Sequence, residues 1–337
     1  MSKKVVTLGE IMMRLSTPSY KRFVQTDSFD INYGGGEANV AAALCNYGLT
    51  SAFISKLPDN ALGQAAINQL RRYGVDTQYI ARGGKRLGLY FLEPGVSMRP
   101  SQVIYDRADA SITEVELSDF NFDQIFEGAD WFHTSGITPA LSDKAAALTL
   151  AALKAAKAKG ITTSLDLNYR KKLWSIEKAR ETLVELAQYV DVCIGPDATL
   201  GFHAGDTDVD LDNIQTDDYQ TIFKQLKDNY GFKYIASTLR TSHSASDNCV
   251  SAMIFDGDTM HHTKAYDVRI VDRVGAGDSF ASGLIYGLVT SLTAAQAAEF
   301  GIAASALKHT IPGDINHATV SEVEALMGGD GSGKIQR

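Results

Sequence analysis

Cysteine is scarce: three residues, Cys45, Cys193 and Cys249, far apart and with no CxxC pair. An odd, scattered set excludes a disulfide framework and a structural zinc site. Positive charge is not in excess, with 32 Lys and Arg against 40 Asp and Glu and a net charge of −8. That lacks the broad basic footprint of a nucleic-acid binder, while a few local arginines still suffice for a small anion. No run approaches the ~20 apolar residues of a membrane span. The opening residues carry two lysines but no apolar stretch of the secretory-leader kind. They read as a first strand, and the expectation is a soluble cytoplasmic protein that engages neither nucleic acid nor membrane.

What is present is a chain of 337 residues, 45% hydrophobic, long enough for one full core with a small appendage. Short apolar runs alternate with helical patterns. Strands are expected over Val5–Leu8, Ser51–Ser55, Ala129–Thr134, Ile161–Leu167, Val190–Ile194 and Tyr234–Thr238. Helices are expected over Asn39–Tyr47, Gly63–Tyr73, Asp143–Lys159, Ile176–Tyr189, Tyr219–Asn229, Ser279–Ser291 and Ala294–Leu307. Such βα alternation predicts an α/β fold with a mostly parallel sheet and helices on both faces. Two stretches, about 12–32 and 86–108, read as strands without helices between them and predict a small β-appendage at the sheet edge. No linker divides residues 1–327, which are expected to form a single domain. The glycine-rich tail 328–337 is expected to be disordered. Its Gly328, Gly333 and Lys334 have P-loop spacing, but Ile335 follows and only three residues remain for a helix. A P-loop needs that helix.

Two glycine-rich runs carry the chemistry. Asp272-Arg273-Val274-Gly275-Ala276-Gly277-Asp278-Ser279-Phe280 lies between a strand-like stretch, Val268–Val271, and an apolar helix. Amides of Gly275, Ala276 and Gly277 at a helix N-terminus suit phosphate oxygens, and Asp278 in the first turn suits a general base. Taken alone, the run is equally a turn with a helix cap. Upstream, Gly34-Gly35-Gly36-Glu37-Ala38-Asn39 lets a ligand approach the backbone, with Glu37 and Asn39 as partners for hydroxyls. That run, too, reads by itself as a turn with an Asn cap.

Together the two runs resemble the N- and C-terminal signatures of the PfkB (ribokinase-like) carbohydrate kinases, with the similarity extending from Val5 to about Leu326. The resemblance implies a three-layer αβα sandwich, a β-lid over the sugar, ATP with Mg²⁺, and Asp278 as the base. Gly34, Gly35, Gly36, Glu37 and Asn39 would meet the sugar.

Within that family, Leu87–Glu93, Tyr105–Ala108, Ser135–Leu141 and Asp166–Trp174 look like 2-keto-3-deoxygluconate kinases. A sugar acid needs a cationic fork, and Arg107 and Arg170 lie in segments expected to border it. Tyr90 and Tyr105 would supply a wall and a hydroxyl each. The alternative pairs Arg107 with Asp106 or Asp109, and Arg170 with a surface acid. The resemblance also sets Asn168 and Arg170 near the ATP phosphates and Thr238, Arg240 and Ser242 along the nucleotide. Asp272 and Asp314 are further substrate candidates, although Asp314 sits in a turn-like Ile311-Pro312-Gly313-Asp314.

Two segments depart from the family pattern. Gly195-Pro196-Asp197-Ala198-Thr199 replaces the usual Asn-x-x-Glu, leaving only Asp197 as a carboxylate. Ser237–Ser246 lacks the usual lysine and glycines. No protein ligand for the metal is expected, and Mg²⁺ would come held by ATP and water. His261-His262 has no third ligand nearby, and His133 reads as structural. The activity expected is phosphorylation of 2-keto-3-deoxygluconate at its terminal hydroxyl. Fructose, ribose or another keto-deoxy acid is the alternative substrate, and a catalytically silent sugar sensor the alternative class. A homo-oligomer is compatible with the sequence.

Overall fold

The computed structural model describes residues 2–196, 198–200 and 216–329. The main sheet runs from β1 (Lys4–Leu8) through β4 (Thr50–Leu57), β5 (Ile80–Arg82), β8 (Trp131–Ser135), β9 (Thr162–Asp166), β10 (Val192–Ile194), β11 (Tyr234–Ser242), β12 (Asp247–Phe255), β13 (Met260–His262) and β14 (Tyr266–Arg269). Its order is β13-β12-β11-β10-β9-β8-β1-β4-β5, with β14 also on β12. From β11 to β5 every pairing is parallel; β12 pairs antiparallel with β11, β13 and β14. The second sheet, β3-β2-β6-β7, comes from β2 (Met12–Ser16), β3 (Asp30–Gly34), β6 (Leu89–Glu93) and β7 (Gln102–Asp106). These strands lie in the two stretches whose sequence shows strands without helices.

Helices cover both faces of the main sheet, as near-continuous apolar strands require. α1 (Gly36–Asn46), α8 (Ala276–Val289), α9 (Ala294–Lys308) and α10 (Val320–Met327) pack on one face through Leu44, Phe280, Leu284, Phe300 and Val323. α3 (Phe122–Ile125), α5 (Asp143–Ala158), α6 (Ile176–Ala187) and α7 (Thr216–Tyr230) pack on the other through Ile125, Leu148, Leu183 and Phe223. α2 (Ala61–Arg72) buries Ile67 and Leu70 against Phe53 at the β4–β5 side, and α4 (Ile137–Ala140) follows β8 directly. Strand alternation divides the two cores: in β1, Val5 joins the α1–α8 side, while Val6 and Leu8 join the α5 side. The architecture is the expected ribokinase-like αβα sandwich with a mostly parallel sheet.

Some elements differ from expectation. α1 starts at Gly36, three residues before the expected Asn39, so Glu37 lies in its first turn instead of a loop before it. An acidic side chain is favourable at that end of the helix dipole. β12 and α10 are not predicted by local pattern. In β12, Cys249, Ser251 and the polar start at Asp247-Asn248 blur the apolar signal, and pairing with β11 overrides it. Gly328 caps α10, and the rest of the tail expectation, 330–337, lies outside the described residues, as does Asp197.

Candidate active site

Parallel strands direct their carboxyl ends to one edge of the sheet, where ligands bind in open α/β folds. Here β1, β8, β9 and β11 deliver Glu10, Ser135, Asp166 and Thr238, and the N-termini of α1 and α8 arrive from the facing layer. The second sheet lies over this edge, and a cavity of about 420 Å³ remains between them.

Glycine is required by geometry at three places. A Cβ on Gly34 would run into the Asp314 carboxylate, and one on Gly35 into the Glu10 carbonyl oxygen. Gly275 has φ +83°, and its Cβ would strike the Asp314 carbonyl oxygen. The left-handed backbone there starts α8, and Gly275 and Gly277 line the cavity. Gly36 faces Asp278 instead: its Cβ would lie 3.5 Å from Asp278 Oδ1.

Asp278 stands in the first turn of α8 and lines the cavity with Gly275 and Gly277. Asn39 Nδ2 donates to Asp278 Oδ2 at 2.7 Å, while Asn39 Oδ1 accepts from the Gly35 amide at 3.3 Å. The Asn39 amide is thus engaged in aiming the carboxylate. Burial pushes the Asp278 carboxyl up to about 6; the Asn39 hydrogen bond opposes this, and the charges of Glu37 and Asp314 add to it. Asp166, at the end of β9, is pushed up to about 7 by burial and then by Asp278. Arg170 lowers both. Asp166 and Asp278 thus share one cavity wall with proton affinities raised above the ordinary carboxyl range.

Glu37 also lines the cavity, but its Oε1 accepts from Ser135 N at 3.0 Å, Ser135 Oγ at 2.7 Å and Thr138 Oγ1 at 2.8 Å. Burial raises its carboxyl, and those donors hold it back.

A buried charge network ties the second sheet to both active turns. Arg14, with its side chain 4% exposed, pairs with Asp272 and with Asp314 Oδ2 at 3.0 Å. Tyr90 donates to the other Asp314 oxygen. Asp272 accepts from the amides of Val274 and Gly313 at 3.0 and 2.9 Å. Lys308 Nζ donates to the carbonyls of Ile311 and Asp272 at 2.9 and 3.3 Å. Burial lowers the Lys308 ammonium to about 8, against the pull of Asp272 and Asp314. Asp314 reaches the cavity wall with both oxygens engaged; Asp272 lies behind it.

Of the remaining candidates, Tyr90, Tyr105, Arg107, Asn168, Arg170 and Thr238 line the cavity. Arg107 pairs with buried Glu10, not with Asp106 or Asp109, and Asp106 is taken by Arg86 at 2.7 Å. The Arg107 guanidinium also lies 5.4 Å from the Tyr105 ring centroid. Among the described residues Arg170 has no carboxylate within ion-pair distance; its guanidinium donates to the Tyr169 carbonyl at 3.3 Å. Arg170 stands at the junction with a second cavity of about 810 Å³, shared also with Tyr105 and Arg107 and bordered by Lys171 and Lys172. Ala276, Arg240 and Ser242 do not line either cavity, and the last two are exposed toward the end of β11. Among the described residues no three His, Cys, Asp or Glu side chains converge as a metal site. Sequence reasoning misses Glu10, Arg14, Asp166, Arg273 and Lys308. Asp166 has a signal, a carboxylate closing a parallel strand, and Arg14 another, a charge inside an apolar strand.

Comparisons with known proteins agree with this fold. The profile of the pfkB family carbohydrate kinases matches residues 2–320. The chain is similar to a 2-dehydro-3-deoxygalactonokinase of Haloferax volcanii, 35% identical over 331 residues and 98% of each chain. The crystal structure of a 2-dehydro-3-deoxygluconokinase from Thermotoga maritima superposes with a TM-score of 0.92 at 49% identity, covering 97% of this chain and 99% of that one. An E. coli structure described as a putative ribokinase II in complex with ATP and Mg²⁺ shares the fold, with a TM-score of 0.81 at 21% identity over 97% of this chain and 99% of that one.

Proposed function

The chain belongs to the pfkB family of carbohydrate kinases, and from that premise we propose that it transfers the γ-phosphoryl group of ATP to the C6 hydroxyl of 2-keto-3-deoxygluconate. The observation that carries this reading is the shared cavity: Asp278 and the Gly275–Gly277 turn border the same space as Arg107 and Arg170. Asp278 suits a reacting hydroxyl in that space, and the arginines suit a carboxylate.

Asp278 takes the proton of the C6 hydroxyl as that oxygen attacks phosphorus. A carboxyl near 6 is ionised at neutral pH and is a stronger base than an ordinary aspartate. Asn39 holds it in line. The amides of Gly275, Ala276 and Gly277, with the positive end of α8, stabilise the charge that develops on the phosphoryl oxygens. Arg107 and Arg170 grip the sugar carboxylate, and Tyr90 and Tyr105 wall the chain between. The β3-β2-β6-β7 sheet serves as the lid, linked to the glycine turn through Arg14. Thr238, Arg240 and Asn168 border the nucleotide.

When bound with ATP, Mg²⁺ neutralises charge on the β- and γ-phosphates. Asp166, on the cavity wall, is the carboxylate that would meet the water shell of an ion carried by ATP. An ATP-dependent enzyme of this kind works in the cytoplasm, and the described residues include no helix long and apolar enough to cross a membrane.

The name of the H. volcanii relative favours a second substrate, the galacto sugar acid, which differs from the gluco acid only in configuration at C4. The mechanism is tested with Asp278→Asn. Turnover should drop roughly 10²–10⁴-fold, the usual contribution of a general base, with sugar-acid binding retained. Near-normal turnover refutes Asp278 as the base.

A further inference from the structure

Glu10 follows β1 at the cavity and is 4% exposed. One carboxylate oxygen, Oε2, receives Arg107 Nη2. The other, Oε1, finds no hydrogen-bond partner among the described residues, and neither does Arg107 Nε. Two buried polar atoms, one acceptor and one donor, are therefore unsatisfied on two residues that line one cavity. Buried polar groups are almost always hydrogen-bonded, so a pair of orphans beside a cavity points to a ligand that supplies both partners. The space for Oε1 is built in: a Cβ on Gly88 would lie 2.7 Å from it. Burial raises the Glu10 carboxyl and Arg107 restrains it, so the free site carries an incompletely compensated acid.

We propose that Glu10 is a specificity-determining residue whose Oε1 accepts the hydroxyl at C4 of the sugar acid, beside the carboxylate held by Arg107. The proposal rests on the substrate reading above. From a carboxylate at Arg107, C2 is a carbonyl and C3 carries no oxygen, so C4 bears the first hydroxyl a neighbouring acceptor can meet. C4 is also the centre at which the gluco and galacto acids differ. Glu10 thereby orients the arginine and reads the adjacent stereocentre. Gly88, by lacking a side chain, leaves room for it.

The test is a substrate-by-variant cycle of kcat/KM, measured by ADP release with ATP and Mg²⁺. The substrates are 2-keto-3-deoxygluconate, its C4 epimer and the 4-deoxy analogue. In the unmodified protein the preferred epimer should exceed the 4-deoxy analogue by roughly ten- to a hundredfold, the range for a hydrogen bond to a charged group. In Glu10→Ala that ratio should fall toward one. A lost Arg107 anchor lowers all three substrates alike and cancels in the ratio. Gly88→Ala, whose methyl displaces Oε1, should act in the same direction and serves if Glu10→Ala does not fold. A ratio near one in the unmodified protein, or an unchanged ratio in either folded variant, overturns the proposal. No turnover of any sugar acid by the unmodified protein, alongside turnover of a neutral sugar, instead refutes the substrate reading, and the proposal falls with it.

Discussion

Asp278→Asn should make the protein more stable at pH 8 while it removes activity. Burial lifts the carboxyl from an ordinary 3.8 to about 6, so the folded protein holds that proton more tightly than the unfolded chain. The sign follows: the contribution to stability is full below about 4 and is lost as pH rises to about 6. Above that, the ionised carboxylate costs the fold up to about 3 kcal/mol, since each tenfold change in proton affinity is worth about 1.4 kcal/mol. Asparagine keeps the shape without the charge, and its carbonyl still accepts from Asn39. For 337 residues the unfolding entropy is about 0.7 kcal/mol/K, so the gain in Tm is about 4 °C. Thermal melts of both proteins at pH 4 and pH 8 provide the assay. The melting points should coincide at pH 4 and separate at pH 8. A variant less stable at pH 8, or equally stabilised at both, refutes the claim that the base is held at the expense of stability.

Two further outcomes concern Asn39 beside Asp278 and the Arg14 network. The Asn39 hydrogen bond favours ionised Asp278, so Asn39→Ala should move the acid limb of the kcat/KM–pH profile from about 6 to higher pH; a limb that stays in place, or moves down, contradicts its aiming role. Arg14→Met should destabilise the fold by about 3–5 kcal/mol in urea titrations, since it strands the Asp272 and Asp314 carboxylates. Adding Asp314→Asn should restore part of that loss, and a loss below about 1 kcal/mol for Arg14→Met denies that the network fastens the second sheet.

Periodicity makes most of the sandwich legible. The strand Val5–Leu8, the Asp143 helix and the Ala294 helix lie within a few residues of expectation, because local pattern and burial agree there. β12 escapes because its polar start is held by pairing with β11, a long-range cause that no local window contains. The site divides along the same line. Gly275, Asp278, Gly34 and Asn39 are visible because a left-handed backbone and a close approach demand glycine in short runs. Arg14 and Lys308 are not, since each acts on turns some 260 to 300 positions away or across a helix end, and only the fold joins them. Asp166 opens the Asp166–Trp174 segment that carries part of the resemblance, yet its raised proton affinity owes much to Asp278, a neighbour only in three dimensions. Local sequence offers Asp106 and Asp109 as partners for Arg107; the partner is Glu10, which β1 brings to the cavity.

At the centre stands the claim that a carbohydrate kinase cavity lined by Asp278 and two arginines takes a sugar acid. Its most direct test is the kcat/KM for ADP release with 2-keto-3-deoxygluconate against fructose and ribose, in the unmodified protein with ATP and Mg²⁺. The preference for the acid should be at least about a hundredfold, in line with one or two charge-assisted hydrogen bonds. Equal or better turnover of the neutral sugars contradicts it.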